Sequence, residues 1–379
     1  MKNVSRIIPC YAADTSGVCS ALYELGGMTV VHDASGCNST YATHDEPRWY
    51  DMQSMIYISA LTELDAILGN DEKFISDVVS AAHDQKPLFI AVCGSPMPMM
   101  TGVDFDAAAA EIERRTRIRT LAMHTNGTHS YITGAAEALC KIAEEYIENK
   151  PKTQELSVNI LGATPLDFGI TGTVESLRQW LKAQGFSVIS CFAMGDSLET
   201  LTKAASAHVN LVISQTGMAA AQYLYDVFEI PYVCGIPTGT EFPSVIADAV
   251  RLAAQSGQCQ YPCAAGNTAK NAAIAVIGES IAAGSVAAAL SMRTGKPARV
   301  ICPLPFDVTC MNGETESPSS EEEIEQALAE CPPEILVADP LYRFICPPQT
   351  RLIGLPHFAF SGRCFDKRIP DLLHFDYTI

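Results

Sequence analysis

Three cysteines near the start of the chain have a spacing and local context that suit metal chemistry. Cys10, Cys37 and Cys93 are 27 and 56 residues apart, in segments rich in glycine and small polar residues (IPCYAADTSG, HDASGCNST and AVCGSPMPM). No Cys-x-x-Cys pair occurs, which argues against a zinc ribbon. Three thiolates on separate loops suit an iron–sulfur cluster whose other ligands come from another chain. Spacing alone leaves buried thiols as the alternative.

Composition and charge restrict the class of protein. The chain has 379 residues, of which 48% are hydrophobic and 18% charged, and its formal net charge is −18. This charge repels nucleic acids and anionic membranes, so neither is expected as a partner. No apolar run reaches the ~18 residues of a membrane helix. The N-terminal segment lacks the apolar stretch of a signal peptide, so we expect a cytoplasmic protein whose 14 cysteines form no structural disulfides.

Short runs rich in valine, isoleucine and leucine alternate with amphipathic segments along the whole chain. The runs are almost continuously apolar, as is typical of parallel strands covered on both faces. The intervening segments, such as 71–85, 172–185 and 320–331, have apolar residues at helical spacing. The candidate strands are 28–34, 64–69, 87–93, 119–125, 156–164, 186–193, 209–217, 231–237, 271–280, 298–305, 334–340 and 350–357.

The candidate strands fall into three groups of four. Polar or proline- and glycine-bearing segments at 148–154 and 256–268 separate the groups. The alternation of strand and helix predicts three Rossmann-like, doubly wound α/β domains around a central cleft. Their predicted boundaries are 1–150, 151–265 and 266–379.

Polar side chains follow several of these predicted strands. Because ligands of doubly wound sheets bind beyond the carboxyl ends of the strands, these positions are candidates for a site. The candidates for pocket or cofactor contacts are His124, Ser214, Gln215 and Ser280. Glu279 and His357 are the candidates for proton donors, because carboxyl and imidazole groups can transfer protons.

Four ordered blocks in the first part of the chain resemble the nitrogenase component 1-type oxidoreductases. That family includes the nitrogenase molybdenum–iron protein subunits, related cofactor-assembly scaffolds and tetrapyrrole reductases. One departure is Asp33-Ala34, which stand where the family has Gly-Pro. The blocks are CYAADTSGVCSALYELGGMTVVHDASGC (10–37), SALTELDAILGNDEKF (59–74), VCGSPMPMMTGVDFD (92–106) and TLAMHTNGTHSYITGAAEAL (120–139).

The resemblance carries specific expectations about ligands and partners. It implies that Cys10, Cys37 and Cys93 bind a [4Fe–4S] cluster, or a larger P-cluster-like one, at an interface with a second copy or a related chain. It implies an ATP-hydrolysing iron protein as the electron donor. His357 stands at the position of the family's cofactor-binding histidine. Ser214 lies in the loop that carries a cofactor-binding cysteine in nitrogenase, and this chain has no cysteine in that loop.

The resulting prediction is a nitrogenase-like oxidoreductase subunit that reduces a substrate or cofactor in the inter-domain cleft. A tetrapyrrole or a second cofactor is a candidate occupant of that cleft. Two alternatives stay open. One is a non-catalytic scaffold for the assembly of a metallocluster or cofactor. The other is a cluster-free protein that binds a tetrapyrrole or another small molecule.

Overall fold

A computed structural model describes most of the chain. The described residues are 5–7, 10, 12–34, 46–53, 55–267, 269–311, 315–318, 320–375 and 377. Within them, twelve strands form three parallel sheets of four strands each. This arrangement confirms the predicted fold class. None of the helices in these ranges is both long and apolar enough to cross a lipid bilayer.

The first sheet has the strand order β2-β1-β3-β4. Its central strand β1 pairs with both neighbours in parallel register, so that Val31 lies opposite Ile58 and Cys93. The strands are β1 (Met28–His32), β2 (Met55–Ile58), β3 (Ile90–Gly94) and β4 (Thr120–Met123). The helices are α1 (Asp14–Leu22), α2 (Glu63–Leu68), α3 (Asp71–Gln85), α4 (Pro96–Thr101), α5 (Phe105–Thr116) and α6 (Tyr131–Tyr146).

The second sheet has the same topology, with the order β6-β5-β7-β8. Its strands are β5 (Ser157–Leu161), β6 (Ser187–Cys191), β7 (Val209–Val212) and β8 (Tyr232–Cys234). Its helices are α7 (Pro165–Phe168), α8 (Thr173–Ala183), α9 (Leu198–Leu201), α10 (Met218–Phe228) and α11 (Phe242–Ser256).

The third sheet repeats the pattern once more, with the order β10-β9-β11-β12. Each sheet lies inside one of the predicted domains, whose boundaries stay a prediction. The strands are β9 (Ile274–Ile277), β10 (Ala298–Ile301), β11 (Ile335–Ala338) and β12 (Arg351–Gly354). The helices are α12 (Ser280–Thr294), α13 (Glu321–Glu330) and α14 (Phe358–Ser361).

One predicted strand is wrong. Residues 64–69 belong to helix α2 and its C-cap, and the fourth strand of the first sheet is instead β2. Thr62 and Asp65 form a reciprocal capping box, and Gly69 ends the helix with φ = 62°. These cap interactions outweigh the local apolar run, because they satisfy backbone groups that a short helix otherwise leaves unpaired.

Helices α1 and α6 lie unusually close together. A Cβ atom added at Gly17 would lie 2.1 Å from the carbonyl oxygen of Tyr131, and one added at Gly134 would lie 1.9 Å from that of Asp14. Only glycine permits such a close approach of two backbones. The contact fixes the N-terminus of α6, and with it Tyr131, against the first helix.

Candidate functional site

A buried carboxylate, Asp167, lies where the three α/β units meet. It belongs to the short helix α7, which begins with a proline directly after the loop that leaves β5. Its Oδ2 atom accepts hydrogen bonds from Thr164 Oγ1 at 2.6 Å and Ser214 Oγ at 2.7 Å. The Tyr131 hydroxyl, from α6 of the first unit, donates to Oδ1. Asp167 is therefore the common acceptor of three hydroxyl groups.

The third unit adds His357 to this cluster. Its Nε2 atom lies 3.3 Å from Asp167 Oδ1, and its ring centroid lies 5.0 Å from that of Phe360. The His357 backbone N–H donates to Asp339 Oδ2 at 2.9 Å, which fixes the start of α14. Both ring nitrogens are buried, and neither has a hydrogen-bond partner among the described residues. The imidazole can therefore offer hydrogen bonds to a ligand.

Glu279 caps helix α12 and lies in the wall of the same cavity as Asp167 and His357. Its carboxylate accepts N–H bonds from Ile281 at 3.1 Å, Ala282 at 2.9 Å and Gln215 at 3.0 Å. Burial, followed by the charge of Asp167, raises the pKa of Glu279 to about 7, although the three N–H bonds act in the opposite direction. A carboxyl group with this pKa can both give and accept a proton near neutral pH.

Tyr131 differs from Glu279 in its proton chemistry. Burial and the charge of Asp167 raise the pKa of Tyr131 well above its usual value. The phenol therefore stays protonated near neutral pH and acts as a hydrogen-bond donor to Asp167. Its part in the cluster is to hold that carboxylate in place.

A cavity opens beside these groups, between the second and third units. The space inside it that a water-sized molecule can occupy is about 30 Å³, within about 520 Å³ of space between the wall atoms when the mouth open to solvent is counted. The polar side chains in its wall are those of Asp167, Glu279, Asp339 and His357, and the rest of the wall is mainly apolar. Among the described residues that line it there is no lysine or arginine. Such a wall favours ligands with hydrogen-bond donors or positive charge over ligands with free carboxylates.

Five of the six residues predicted for the cleft come together here. Glu279 and His357 line the cavity, and Ser214 binds Asp167. The hydroxyl of Ser280 lies 3.1 Å from Glu279 Oε1. Gln215 is bound to Glu279 through its backbone N–H, and its buried Nε2 has no hydrogen-bond partner among the described residues.

His124 is not part of the cluster. It lies exposed on the first unit, where Nδ1 is 2.7 Å from Glu137 Oε1 and Nε2 is 3.2 Å from Asp106 Oδ2. Hydrogen bonds with these two carboxylates raise the pKa of His124. His124 follows β4 and is not among the residues that line the cavity, so its predicted cofactor contact stays a prediction.

Sequence reasoning missed Tyr131, Thr164, Asp167 and Asp339. Asp339 directly follows β11, and Asp167 follows β5 by a few residues. The same rule that selected Ser214 and Glu279 could therefore have found both carboxylates. Tyr131 carries no such signal, because it begins a helix of another unit and reaches the cluster only through the packing of α6.

The predicted metal ligands lie in different surroundings. Cys10 is an exposed residue by surface area, yet its thiol is surrounded by protein atoms, and this desolvation raises the pKa of Cys10 to about 12. Cys93 lies inside β3, is fully buried, and has its sulfur 3.6 Å from the carbonyl oxygen of Val30. Neighbouring Cys19 and burial raise the pKa of Cys93 well above its usual value. Cys37 lies outside the described residues.

These positions bear on whether the three thiols suit an iron–sulfur cluster. Cys10 fits, since the residue lies at the surface, where another chain can approach it. Cys93 does not fit as it stands, because its side chain would have to leave the interior of the sheet to bind iron. No group of three or more histidine, cysteine or acidic side chains within the described ranges could hold a metal ion. The three-cysteine ligand set therefore stays a prediction.

Comparison with known proteins agrees with this architecture. The sequence model of the family described as Nitrogenase component 1 type Oxidoreductase matches residues 16–244, more than half of the chain. The chain belongs to this family. The match confirms the resemblance seen in the sequence blocks.

The relatives named as enzymes or assembly proteins match only part of their own length. One light-independent protochlorophyllide reductase subunit, from Prosthecochloris aestuarii, is 35% identical over 107 residues, or 28% of this chain and 20% of that protein. The corresponding protein of Crocosphaera subtropica is 26% identical over 45% of this chain and 36% of that protein. Nitrogenase iron-molybdenum cofactor biosynthesis protein NifE of Clostridium pasteurianum is 24% identical over 57% and 48%. The chain thus spans about a fifth to a half of these relatives.

A solved structure is similar over almost the whole chain. "Nitrogenase Cp1 at pH 6.5" superimposes with a TM-score of 0.62 and covers 96% of this chain and 89% of its own. The sequence identity is 16%, so this likeness establishes the fold. It confirms that the three parallel sheets are those of the nitrogenase component 1 architecture.

Proposed function

We propose that this chain is a nitrogenase-like oxidoreductase subunit that reduces a small ligand in the inter-domain cavity. The observation that supports the proposal is the convergence of His357, Asp167 and Glu279 on one cavity wall. Three segments that lie far apart in the sequence supply these groups. Glu279 can bind or release a proton, and His357 can form a hydrogen bond to a ligand. Such a set suits a reaction in which each added electron is matched by a proton.

In this proposal the residues of the chain bind the ligand and supply protons. The His357 Nδ1 atom, which has no hydrogen-bond partner in the described part of the chain, orients the ligand. Glu279 gives up its proton from the carboxyl group and is reprotonated at neutral pH, because its pKa is about 7. Asp167 holds the imidazole in place through the 3.3 Å contact and is itself held by Tyr131.

An iron–sulfur cluster would supply single electrons at low potential. We propose Cys10 and Cys37 as its ligands from this chain, with Cys93 as the third if its side chain turns out of the sheet. The remaining ligands come from a second copy or a related chain, since a four-iron cluster needs more than these thiols. An ATP-hydrolysing reductase of the nitrogenase iron-protein type is the proposed electron donor.

Iron analysis tests the cluster half of the proposal. The protein is purified without oxygen, and iron, acid-labile sulfide and the EPR spectrum of the reduced form are measured. We expect about two irons per chain for a four-iron cluster shared by two chains. Cys10→Ser and Cys37→Ser lose this iron, whereas Cys364→Ser, which removes another exposed cysteine, retains it. A parent protein without iron even after reconstitution contradicts the redox function.

The cavity half of the proposal is tested by ligand-dependent oxidation of the reduced protein. Protochlorophyllide is the first probe, because several relatives are named as its reductases. Its ring system is larger than the enclosed space and it has a free carboxylate, so its reduction requires the cavity to open and the carboxylate to stay outside the acidic wall. With a ligand that is reduced, the EPR signal of the reduced form decays, and it decays at least about tenfold more slowly in His357→Ala and Glu279→Gln. His124→Ala is the matched histidine control and behaves like the parent. Equal decay in all four proteins contradicts the assignment of the cavity.

Similarity to the biosynthesis protein NifE favours one other function, a scaffold for cofactor assembly. A scaffold releases its bound cluster once, in proportion to the protein present. An oxidoreductase forms product repeatedly while ATP and the reductase are supplied. Counting product molecules per chain therefore separates the two functions.

A further inference from the structure

Three sulfur atoms meet in the interior, away from the cavity. Met218 begins α10, Cys234 ends β8, and Cys310 ends a 3₁₀ turn over Val308–Cys310. The Cys234 and Cys310 sulfurs are 3.7 Å apart, and Met218 Sδ lies 3.5 Å from Cys310 Sγ and 4.0 Å from Cys234 Sγ. Cys234 and Cys310 are fully buried, and Met218 is 5% exposed. Two α/β units thus contribute to one sulfur triangle.

The size of this triangle suits a single metal ion. With sides of 3.7, 3.5 and 4.0 Å, its circumradius is about 2.2 Å, close to the ~2.3 Å of metal–sulfur bonds in proteins. An ion at the centre would therefore reach all three sulfurs with little movement of the side chains. The Cys263 thiol donates to the Cys310 carbonyl oxygen at 3.2 Å, which holds the 3₁₀ turn against the second unit.

We propose that Met218, Cys234 and Cys310 bind one Cu(I) ion in a three-coordinate sulfur site. Thiolate and thioether donors are soft ligands, and they select Cu(I). Structural zinc needs four donors, usually cysteine and histidine. The described part of the chain has no group of three histidine, cysteine or acidic side chains suited to a metal, so the zinc donor set is lacking.

Binding of Cu(I) changes no oxidation state and needs neither an oxidant nor a reductant. Two Cu–S bonds form as two thiol protons leave to solvent, and the Met218 thioether adds a third bond without losing a proton. The loaded site has two thiolates and one Cu⁺, and so one net negative charge. This site is separate from the proposed reduction chemistry and does not depend on it.

A competition titration tests the proposal. The full-length protein is titrated with Cu(I) under anaerobic conditions against a chromophoric Cu(I) chelator. We expect one tightly bound Cu(I) per chain that Cys234→Ser and Cys310→Ser abolish. Met218→Leu keeps the side-chain volume and removes only the thioether, so it weakens binding by about tenfold. X-ray absorption of the loaded parent shows three sulfur neighbours at about 2.2–2.3 Å.

The controls separate this site from other thiols and from misfolding. Cys191→Ser alters a buried cysteine of the second unit outside the triangle, and it retains the bound Cu(I). Met218→Leu keeps the circular dichroism and melting temperature of the parent, so its weaker binding reports the lost ligand. Unchanged Cu(I) binding in both Cys→Ser variants overturns the proposal. A parent protein that binds no Cu(I) also overturns the proposal. This holds even if Cys234 and Cys310 form a disulfide under a mild oxidant.

Discussion

The inter-domain cluster around Asp167 and the thiol pair formed by Cys19 of α1 and Cys93 of β3 are both buried, yet their surroundings differ. Asp167 accepts hydrogen bonds from three hydroxyl groups and lies beside an imidazole and a cavity. Cys93 has Cys19 and the Val30 carbonyl as neighbours in the interior of the sheet. The pKa of Glu279 in the cluster is about 7, whereas that of Cys93 lies well above its usual value.

The difference shows that burial alone does not make a site. In the cluster, several units each add one polar group, and burial together with the charge of Asp167 places the titration of Glu279 near neutral pH. In the thiol pair, the second thiol and burial raise the pKa of Cys93, so its thiol stays protonated. Proton exchange is therefore expected at the cluster and not at Cys93.

The largest expected effect is that of Asp167→Ala. The substitution leaves the hydroxyls of Tyr131, Thr164 and Ser214 without their common acceptor inside the protein. We expect the free energy of unfolding to fall by about 3–5 kcal/mol, because buried polar groups lose their partner. Urea denaturation measures the change.

An exposed carboxylate provides the control for this substitution. Asp226 accepts a hydrogen bond from Gln222 Nε2 at the surface, and Asp226→Ala should change stability by less than about 0.5 kcal/mol. If the two variants lose equally little stability, the cluster contributes no more to stability than a surface pair.

The next effect is a dependence of stability on pH that originates at Glu279. Its folded pKa, about 7, is above the ordinary value of 4.5, so the folded protein holds the proton more tightly between these pH values. The contribution of this proton to the free energy of unfolding is complete below about pH 4.5 and is lost as the pH rises through 7. The total loss is roughly 3 kcal/mol.

The measurement is urea denaturation at several pH values between 4.5 and 8 for the parent and two variants. Glu279→Gln cannot titrate, so its stability should decline less across this range than that of the parent. Glu322→Gln changes an exposed glutamate and should follow the parent. A parental pH profile in Glu279→Gln would show that the titration belongs to another group.

The smallest effect concerns the thiol pair. Cys93→Ala should lower the free energy of unfolding by about 1 kcal/mol, as expected for a small buried side chain. In the native protein, iodoacetamide should label exposed Cys364 well before Cys93, which mass spectrometry of peptides can follow. Rapid labelling of Cys93, or loss of iron in Cys93→Ser, would show that its thiol leaves the sheet and acts as a ligand.

Local sequence patterns predicted most of the architecture, because strand and helix periodicity depends on neighbouring residues. Eleven of the twelve predicted strands overlap a strand of the structure, and the exception, 64–69, forms a capped helix. The apolar run was visible in the sequence. The capping box between Thr62 and Asp65 was also visible in the sequence. The structure shows that residues 55–58, and not 64–69, form the strand that pairs with β1.

The sequence by itself determined that this is an α/β protein of the nitrogenase component 1 family, with polar residues at the ends of its strands. Only the tertiary structure decided which of those residues meet. Ser214, Glu279 and His357 meet because the second and third sheets present their carboxyl edges to one cavity, while His124 lies elsewhere. Tyr131 reaches Asp167 through the close packing of α1 against α6. Such distances depend on how separate units pack, which residue spacing does not encode.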